Sequence, residues 1–119
     1  MVNSILFPST TVTTSGNTGA GTSLPANTRG AIFNVNVSAI SGTTPAMVLS
    51  LQWFDPASQN WITLASMSSI NATGGTLAIV YPGASNPLYN VLPSNYRIAW
   101  AVTGTNPSIT FSIGVNYLN

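Results

Sequence analysis

The chain has 119 residues, enough for one domain with a single core, and only three of them are charged: Arg29, Asp55 and Arg97. An average soluble domain is about a quarter charged, and a formal net charge of +1 gives no electrostatic attraction for nucleic acid or an acidic membrane surface. The absence of cysteine and histidine excludes disulfides, thiolate chemistry and the commonest general base. So little net charge favours self-association.

Residues 1–30 differ in composition from the rest of the chain. Residues 8–30 are dense in Thr, Ser, Gly, Asn and Pro, and such a segment buries too little apolar surface to become ordered by itself. Two interpretations stay open: a frayed terminus with one edge strand around Thr10–Thr14, or an extended arm that becomes ordered on a partner chain. The apolar anchor of that arm would be Ile5, Leu6 and Phe7.

From residue 31 onward, apolar and polar residues alternate with the period of two that is typical of strands. No window shows a helical period of useful length, and no apolar run approaches the roughly 20 residues of a membrane span. Residues 31–119 are therefore predicted to form an all-β domain: an antiparallel β-sandwich, or a small jelly-roll or immunoglobulin-like barrel, of about six to eight strands. The predicted strands are 31–39, 47–53, 61–65, 76–81, 96–102 and 109–117.

One short pattern occurs twice. Ser41-Gly42-Thr43-Thr44-Pro45 lies between the first two predicted strands, and Gly104-Thr105-Asn106-Pro107 lies between the last two. Each reads as a strand end, a loop and a new strand. We expect the same hairpin to be used twice, at one end of the sandwich.

Residues for catalytic chemistry are nearly missing. Asp55 is the one carboxylate side chain, whereas acid–base catalysis by carboxylates needs a pair. It precedes Pro56, in a turn where Asp commonly makes local hydrogen bonds. Gly74-Gly75 and Gly19-Ala20-Gly21 do not open a predicted helix, so they are not phosphate loops. We therefore predict no enzymatic activity, no catalytic residue, no metal site and no cofactor.

Some residues are candidates for contact with other proteins. Arg97 lies within a predicted strand on the face opposite Trp100, as a solvated side chain or as a hydrogen-bond donor between subunits. Arg29 ends the N-terminal segment and is placed to fix it to the body or to a neighbour. The parity of Trp53 and Trp100 predicts core positions, which leaves other aromatic residues as surface candidates. The full candidate set is Ile5, Leu6, Phe7, Arg29, Trp61, Tyr89, Arg97 and Tyr117.

Several short motifs occur in a recognisable order from about residue 31 to the end. A Gly-Thr-x-Pro segment at 42–45 precedes Leu49-Ser50-Leu51-Gln52-Trp53, a Trp follows the next turn at Trp61, and Tyr96-Arg97-Ile98-Ala99-Trp100 stands near the end. This arrangement resembles the small all-β virion proteins of tailed bacteriophages, most closely head decoration (cement) proteins and minor structural proteins.

That resemblance implies a non-enzymatic structural protein on the capsid surface. It would bind the major capsid protein or other virion proteins, stabilise contacts between subunits, and form a homotrimer or homodimer, with no nucleic acid or membrane partner. The N-terminus has neither a basic nor a long apolar region, so we expect no signal peptide and synthesis in the host cytoplasm. Two alternatives stay open: a tail, neck, spike or coat subunit, and a carbohydrate-binding adhesin module that uses an exposed Trp or Tyr.

Overall fold

The structure is a computed structural model, and it describes residues 2–19, 21–81 and 92–118. The predicted all-β antiparallel fold is confirmed, because strands are the regular elements throughout these ranges and they join in one antiparallel sheet. None of the described residues form a helix with the length and apolar character needed to cross a bilayer. The strands are β1 (Val2–Val12), β2 (Gly16–Asn17), β3 (Gly30–Asp55), β4 (Asn60–Ser66), β5 (Gly74–Val80) and β6 (Tyr96–Leu118).

Two long strands organise the sheet. β3 has 26 residues and β6 has 23, and they pair antiparallel from Gly30 opposite Leu118 to Trp53 opposite Tyr96. A straight strand of that length would extend about 85 Å, whereas the longest dimension of the molecule is 42 Å. The paired strands therefore fold over at their middle. The two halves of one sheet face each other in a sandwich-like arrangement that is not closed into a barrel.

Each half of the folded sheet is one layer. The first layer contains β5, residues 30–40 of β3, residues 109–118 of β6, and β1, in that order. The second layer contains β4, residues 46–55 of β3, residues 96–103 of β6, and β2. In the described residues, β5 and β1 are thus the edges of the first layer, and β4 and β2 are those of the second.

The fold-over occurs at the repeated sequence pattern, where the predicted hairpins are wrong. Gly42 and Gly104 have φ values of 114° and 116°, and the second residue after each also has a positive φ of 49°. Register shifts occur just before and within this region, so each segment bends one continuous strand, as bulges do, without reversing it. The two bends lie against each other, with Thr43 opposite Thr105. The repeated pattern does lie at one end of the sandwich.

The N-terminal segment forms hydrogen bonds within its own chain. β1 pairs with the second half of β6, from Val2 opposite Tyr117 to Val12 opposite Ile109. The strand begins well before Thr10, because the outer edge of β6 supplies backbone partners that composition alone does not reveal. The Phe7 ring packs with its centroid 4.8 Å from Trp100 and 5.0 Å from Phe111.

A single apolar core fills the space between the layers. The Phe33 ring of the first layer lies 5.8 Å from the Tyr96 ring of the second, and Trp100 lies 5.2 Å from Phe111. The hydroxyl groups of Tyr96 and Tyr117 are 2.6 Å apart and connect the layers with a buried hydrogen bond. The largest fully buried side chains are Tyr96, Phe111, Met47, Leu49, Ile109, Ile113, Val35 and Val37.

Candidate functional site

The outward face of the second layer carries a cluster centred on Arg97. Gln52, on the central strand β3, lies opposite Arg97 of β6 on one side and opposite Thr63 of β4 on the other. The Nε of Arg97 donates a hydrogen bond to Oε1 of Gln52 at 2.7 Å, and the guanidinium carbon lies 4.2 Å from the centroid of the Trp61 ring. The Phe54 ring, directly across from Trp61, lies 5.2 Å from it. The cluster is thus a cation–π contact between Arg97 and Trp61, in which the hydrogen bond to the Gln52 amide oxygen holds the guanidinium in place.

Polar groups on this second-layer face satisfy one another. Gln52 donates from Nε2 to Oγ1 of Thr63 at 3.2 Å, and the hydroxyls of Ser50 and Ser66 are 2.9 Å apart. Burial lowers the pKa of Arg97 from its ordinary value, but arginine side chains in proteins stay charged at neutral pH. Cross-strand pairs of this kind stabilise a sheet from within. The Gln52 amide and these hydroxyls are therefore engaged within the chain.

Asp55 has a local role in the turn between β3 and β4. Its carboxylate accepts a hydrogen bond from Oγ of Ser58 at 2.7 Å and another from the backbone N–H of Ala57 at 3.0 Å. These two hydrogen bonds, of which the one from Ser58 has the larger effect, hold the pKa of Asp55 below its ordinary value. The prediction that Asp55 makes local turn hydrogen bonds is confirmed.

The outward face of the first layer has a different composition. On the edge strand, Leu77 is 63% exposed, Ile79 45% and the following Tyr81 42%, and at the opposite edge Ile5 is 74% exposed. Between these edges lie the outward positions of β3 and β6, which carry amide, hydroxyl and aliphatic groups and no charge. These central positions are Ile32, Asn34, Asn36, Ser112, Gly114 and Asn116.

The amides of this first-layer face are only partly paired. Asn116 donates to the side-chain oxygen of Asn3, whereas Asn34 and Asn36 have no side-chain hydrogen bond to any residue that the structure describes. The space above Gly114, in the middle of the face, is open. The face therefore offers flat apolar area together with amide groups whose hydrogen-bonding capacity is unused within the described chain.

The two edges of the first layer also differ. β5 pairs with β3 without any register shift from Val80 to Gly74, and it contains neither proline nor a charged residue. β1 contains Pro8 and two register shifts, one on each side of Phe7. Among the described residues, β3 is the one strand hydrogen-bonded to β5. Within the described ranges, the β5 edge is thus regular and pairs with no further strand, whereas the β1 edge is interrupted.

The predicted contact residues lie in different environments. Arg29 is exposed, and its backbone N–H donates to the carbonyl of Leu118 at 2.7 Å. Ile5 is exposed, whereas Leu6 and Phe7 pack against the core. Tyr89 lies outside the described residues. Among the predicted residues that the structure describes, Trp61 and Arg97 are brought into direct side-chain contact.

The predicted surface position of Tyr117 is wrong. Its side chain is 4% exposed and its hydroxyl bonds Tyr96 in the core. The physical reason is strand parity, since Tyr117 shares the inward face of β6 with Val115 and Ile113. Burial, followed by the hydrogen bond with Tyr117, raises the pKa of Tyr96 above its ordinary value. The Tyr96 hydroxyl therefore stays neutral at physiological pH, and its role is structural.

Sequence reasoning missed two features: the hydrogen bonds of Gln52 to Arg97 and Thr63, and the exposed aliphatic row of Leu77 and Ile79 on β5. A usable signal was present for the row, because Leu77 and Ile79 alternate with Ala78 and Val80, so both faces of that strand are apolar. For Gln52 no local signal exists, because its role depends on which two strands flank β3.

The interior offers little room for a ligand. An apolar cavity of about 30 Å³ lies between the layers, lined by residues such as Phe33, Leu49 and Ile98. Its walls are almost wholly apolar, so they offer few of the polar partners that a buried water needs. Within the described ranges, no three His, Cys, Asp or Glu residues are grouped as metal ligands.

In comparisons with known proteins, no family model matches this chain, and neither a curated protein nor a solved structure matches it significantly.

Proposed function

We propose that this protein is a non-enzymatic structural protein of a virus particle, which binds the capsid shell as a decoration or cement protein. The observation that carries the proposal is the uncharged outward face of the first layer. Its aliphatic side chains, with Leu77 and Ile5 the most exposed, surround the Asn34 and Asn36 amides, which have no side-chain partner in the described chain. Such a face suits a lasting contact with another protein surface.

Binding through this face would combine two contributions. Burial of apolar area stabilises the contact by roughly 25 cal/mol per Å² before the costs of association, and the amides of Asn34 and Asn36 exchange water for partner groups. Ion pairs contribute little, because this face carries no charge. Attachment to the shell should therefore be nearly independent of salt.

The test is binding of the purified, labelled chain to expanded heads of the virus that carries its gene, with salt raised to about 1 M, where the screening length is about 3 Å. We expect binding to persist across the range. Loss of binding at modest salt would contradict attachment through an uncharged face. Electron microscopy of the same labelled particles locates the site: label spread over the shell supports decoration, whereas label at one vertex or along the tail supports a neck, spike or tail position.

The geometry gives less support to a carbohydrate-binding module. A sugar stacks on a free aromatic face, and one face of the Trp61 ring is occupied by the guanidinium of Arg97. Glycan-array binding that is lost in Trp61→Ala would favour the adhesin alternative.

A further inference from the structure

We propose that β5 is a self-association edge: the β5 strands of two copies pair antiparallel about a two-fold axis near Ala78, so that two first layers form one continuous sheet. This inference rests on the proposed function for its role in the particle, where it identifies the interface of the homo-oligomer. The pairing itself is a property of the chain and is testable without any virus.

The backbone of β5 favours the addition of a strand. In an antiparallel pair, alternate residues of an edge strand direct their N–H and C=O groups away from the neighbour. Natural proteins prevent such groups from pairing with other chains by using charges, prolines, bulges or very short strands. β5 has none of these over Gly74–Val80, whereas β1, at the other edge of the same layer, has Pro8 and two register shifts.

The side chains of β5 are complementary to themselves. An axis at Ala78 sets Leu77 opposite the partner's Ile79, and Gly75 opposite the partner's Tyr81. The first pair buries two exposed aliphatic side chains, and the second sets the smallest residue against the largest, a combination that protects a strand glycine. Both pairs lie on the outward face, where these side chains are exposed in the single chain.

The charge distribution favours a second copy over a different protein. A two-fold contact sets each residue near its own equivalent, so any charged side chain on the edge would repel its equivalent. β5 and the outward positions beside it on β3 carry no charge. A partner of another kind would find no charge here by which to be selected.

The size of the outward face agrees with this pairing. Four strands spaced about 4.8 Å apart and about seven residues long cover roughly 450 Å². A standard protein interface takes about 800 Å² from each partner. Two copies joined along β5 would present roughly 900 Å², so the pair rather than the single chain would offer a surface of standard size to the shell.

The first test compares self-association of the whole chain and two charge variants by sedimentation equilibrium. We expect the unmodified chain to dimerise and Leu77→Lys to weaken dimerisation about tenfold or more, because apolar contact is lost and two like charges approach. The matched control is Ile5→Lys, which adds the same charge to the same face at the opposite edge, at a more exposed site. It should dimerise like the unmodified chain. Far-ultraviolet circular dichroism verifies that both variants fold.

The second test uses the absence of cysteine from the sequence. Leu77→Cys is mixed with a mass-tagged Ile79→Cys under mild oxidation. The mixed disulfide between them should form faster than a disulfide between two copies of either variant. The reason is that positions 77 and 79 of the two copies are directly opposite and within disulfide range, whereas two equal positions are diagonal and too far apart. Ile5→Cys serves as the control for random collision, and it should cross-link slowly.

Three results would overturn the proposal. One is a chain that stays monomeric at all concentrations up to about 1 mM, because a dissociation constant of that size corresponds to a binding free energy of only about −4 kcal/mol. The β5 edge would then be available to a strand of another protein. Another is an oligomer that persists unchanged in Leu77→Lys. The third is equal cross-linking of all cysteine combinations. Each result leaves the shell-binding experiment to be judged separately, and loss of shell binding in a chain that still dimerises would reject only the proposed function.

Discussion

The two layers share strands β3 and β6, yet their outward faces use polar side chains in different ways. In the second layer, Arg97, Gln52 and Thr63 form a chain of cross-strand contacts, and the hydroxyls of Ser50 and Ser66 pair. In the first layer, Asn34 and Asn36 have no side-chain partner among the described residues.

This difference bears on which face binds. A polar group that is already hydrogen-bonded within the chain gains no new hydrogen bond when a partner protein binds, unless it first gives up the one it has. An exposed amide instead exchanges a hydrogen bond with water for one with the partner, at little net cost in free energy. The second-layer face therefore stabilises its own sheet. The first-layer face, with exposed Leu77 and Ile79 beside its amides, is the surface fitted for contact.

The largest expected effect comes from breaking the bend that holds the two layers face to face. In Gly42→Ala, the added Cβ would lie 2.7 Å from the carbonyl oxygen of Asn106, at a φ of 114°. We expect a loss of about 3 kcal/mol or more in the free energy of unfolding. Both layers should unfold in one transition, measured by denaturant titration with near- and far-ultraviolet circular dichroism.

Gly74→Ala is the matched control for this effect. Gly74 has a φ of 130°, and a Cβ there meets no atom within 4 Å. It should cost only the strain of the backbone, on the order of 1 kcal/mol. Equal losses in the two variants, or separate unfolding of the two layers, would contradict the close packing of the bends.

The second prediction tests the Tyr96–Tyr117 contact between the layers. The pKa of Tyr96 is raised from 10.0 by burial, so above about pH 10 the unfolded chain releases this proton while the folded chain keeps it. The unfolded state then binds fewer protons, and stability falls with rising pH, by about 1.4 kcal/mol per pH unit from this group. Below pH 10 the contribution is constant. Denaturant titrations from pH 8 to 12 measure the slope, and Tyr96→Phe should reduce it.

The third prediction concerns the first-layer face. Asn34→Asp combined with Asn36→Asp keeps the side-chain shape but adds two charges that must be desolvated on binding. We expect binding to the shell to weaken about tenfold or more. Asn71→Asp, an exposed site at the edge of the second layer, should bind like the unmodified chain. Equal weakening by both charge changes would indicate that the first-layer face is not the contact surface.

The smallest effect is expected on the second-layer face. Arg97→Lys keeps the charge but loses the planar stacking on Trp61 and the Nε bond to Gln52. We expect a loss of about 0.5–1 kcal/mol in the free energy of unfolding, with shell binding unchanged. Thermal melts and the same binding assay measure the two quantities. A loss of shell binding without a loss of stability would reverse the assignment of the two faces.

Sequence alone predicted the strand-forming segments from residue 31 onward and most of the core. Alternation identified the inward residues Ile109, Phe111 and Ile113 because it reports on one strand at a time. It failed where the answer depended on a distant strand. The Gly-Thr-x-Pro segments have the residues of a turn, but whether a chain reverses or merely bends there depends on what pairs with its flanks.

The same limit applies to the candidate site. Arg97 and Trp61 were each identified from sequence, but their contact requires β3 to lie between their strands. For Tyr117, the parity of the last strand already indicated an inward position. The aliphatic residues Leu77 and Ile79 of β5 are visible in the sequence, where their alternation predicts a strand but does not by itself show that they face outward.

The pairing of β3 with β6 also bears on how fast the chain folds. The partners nearest in sequence are Trp53 and Tyr96, and the most distant are Gly30 and Leu118. No short turn connects these strands, so a long loop must close before their first contact forms, and the entropy of closure is lost in advance. We expect refolding on the order of milliseconds to seconds, as in other β-proteins dominated by distant contacts.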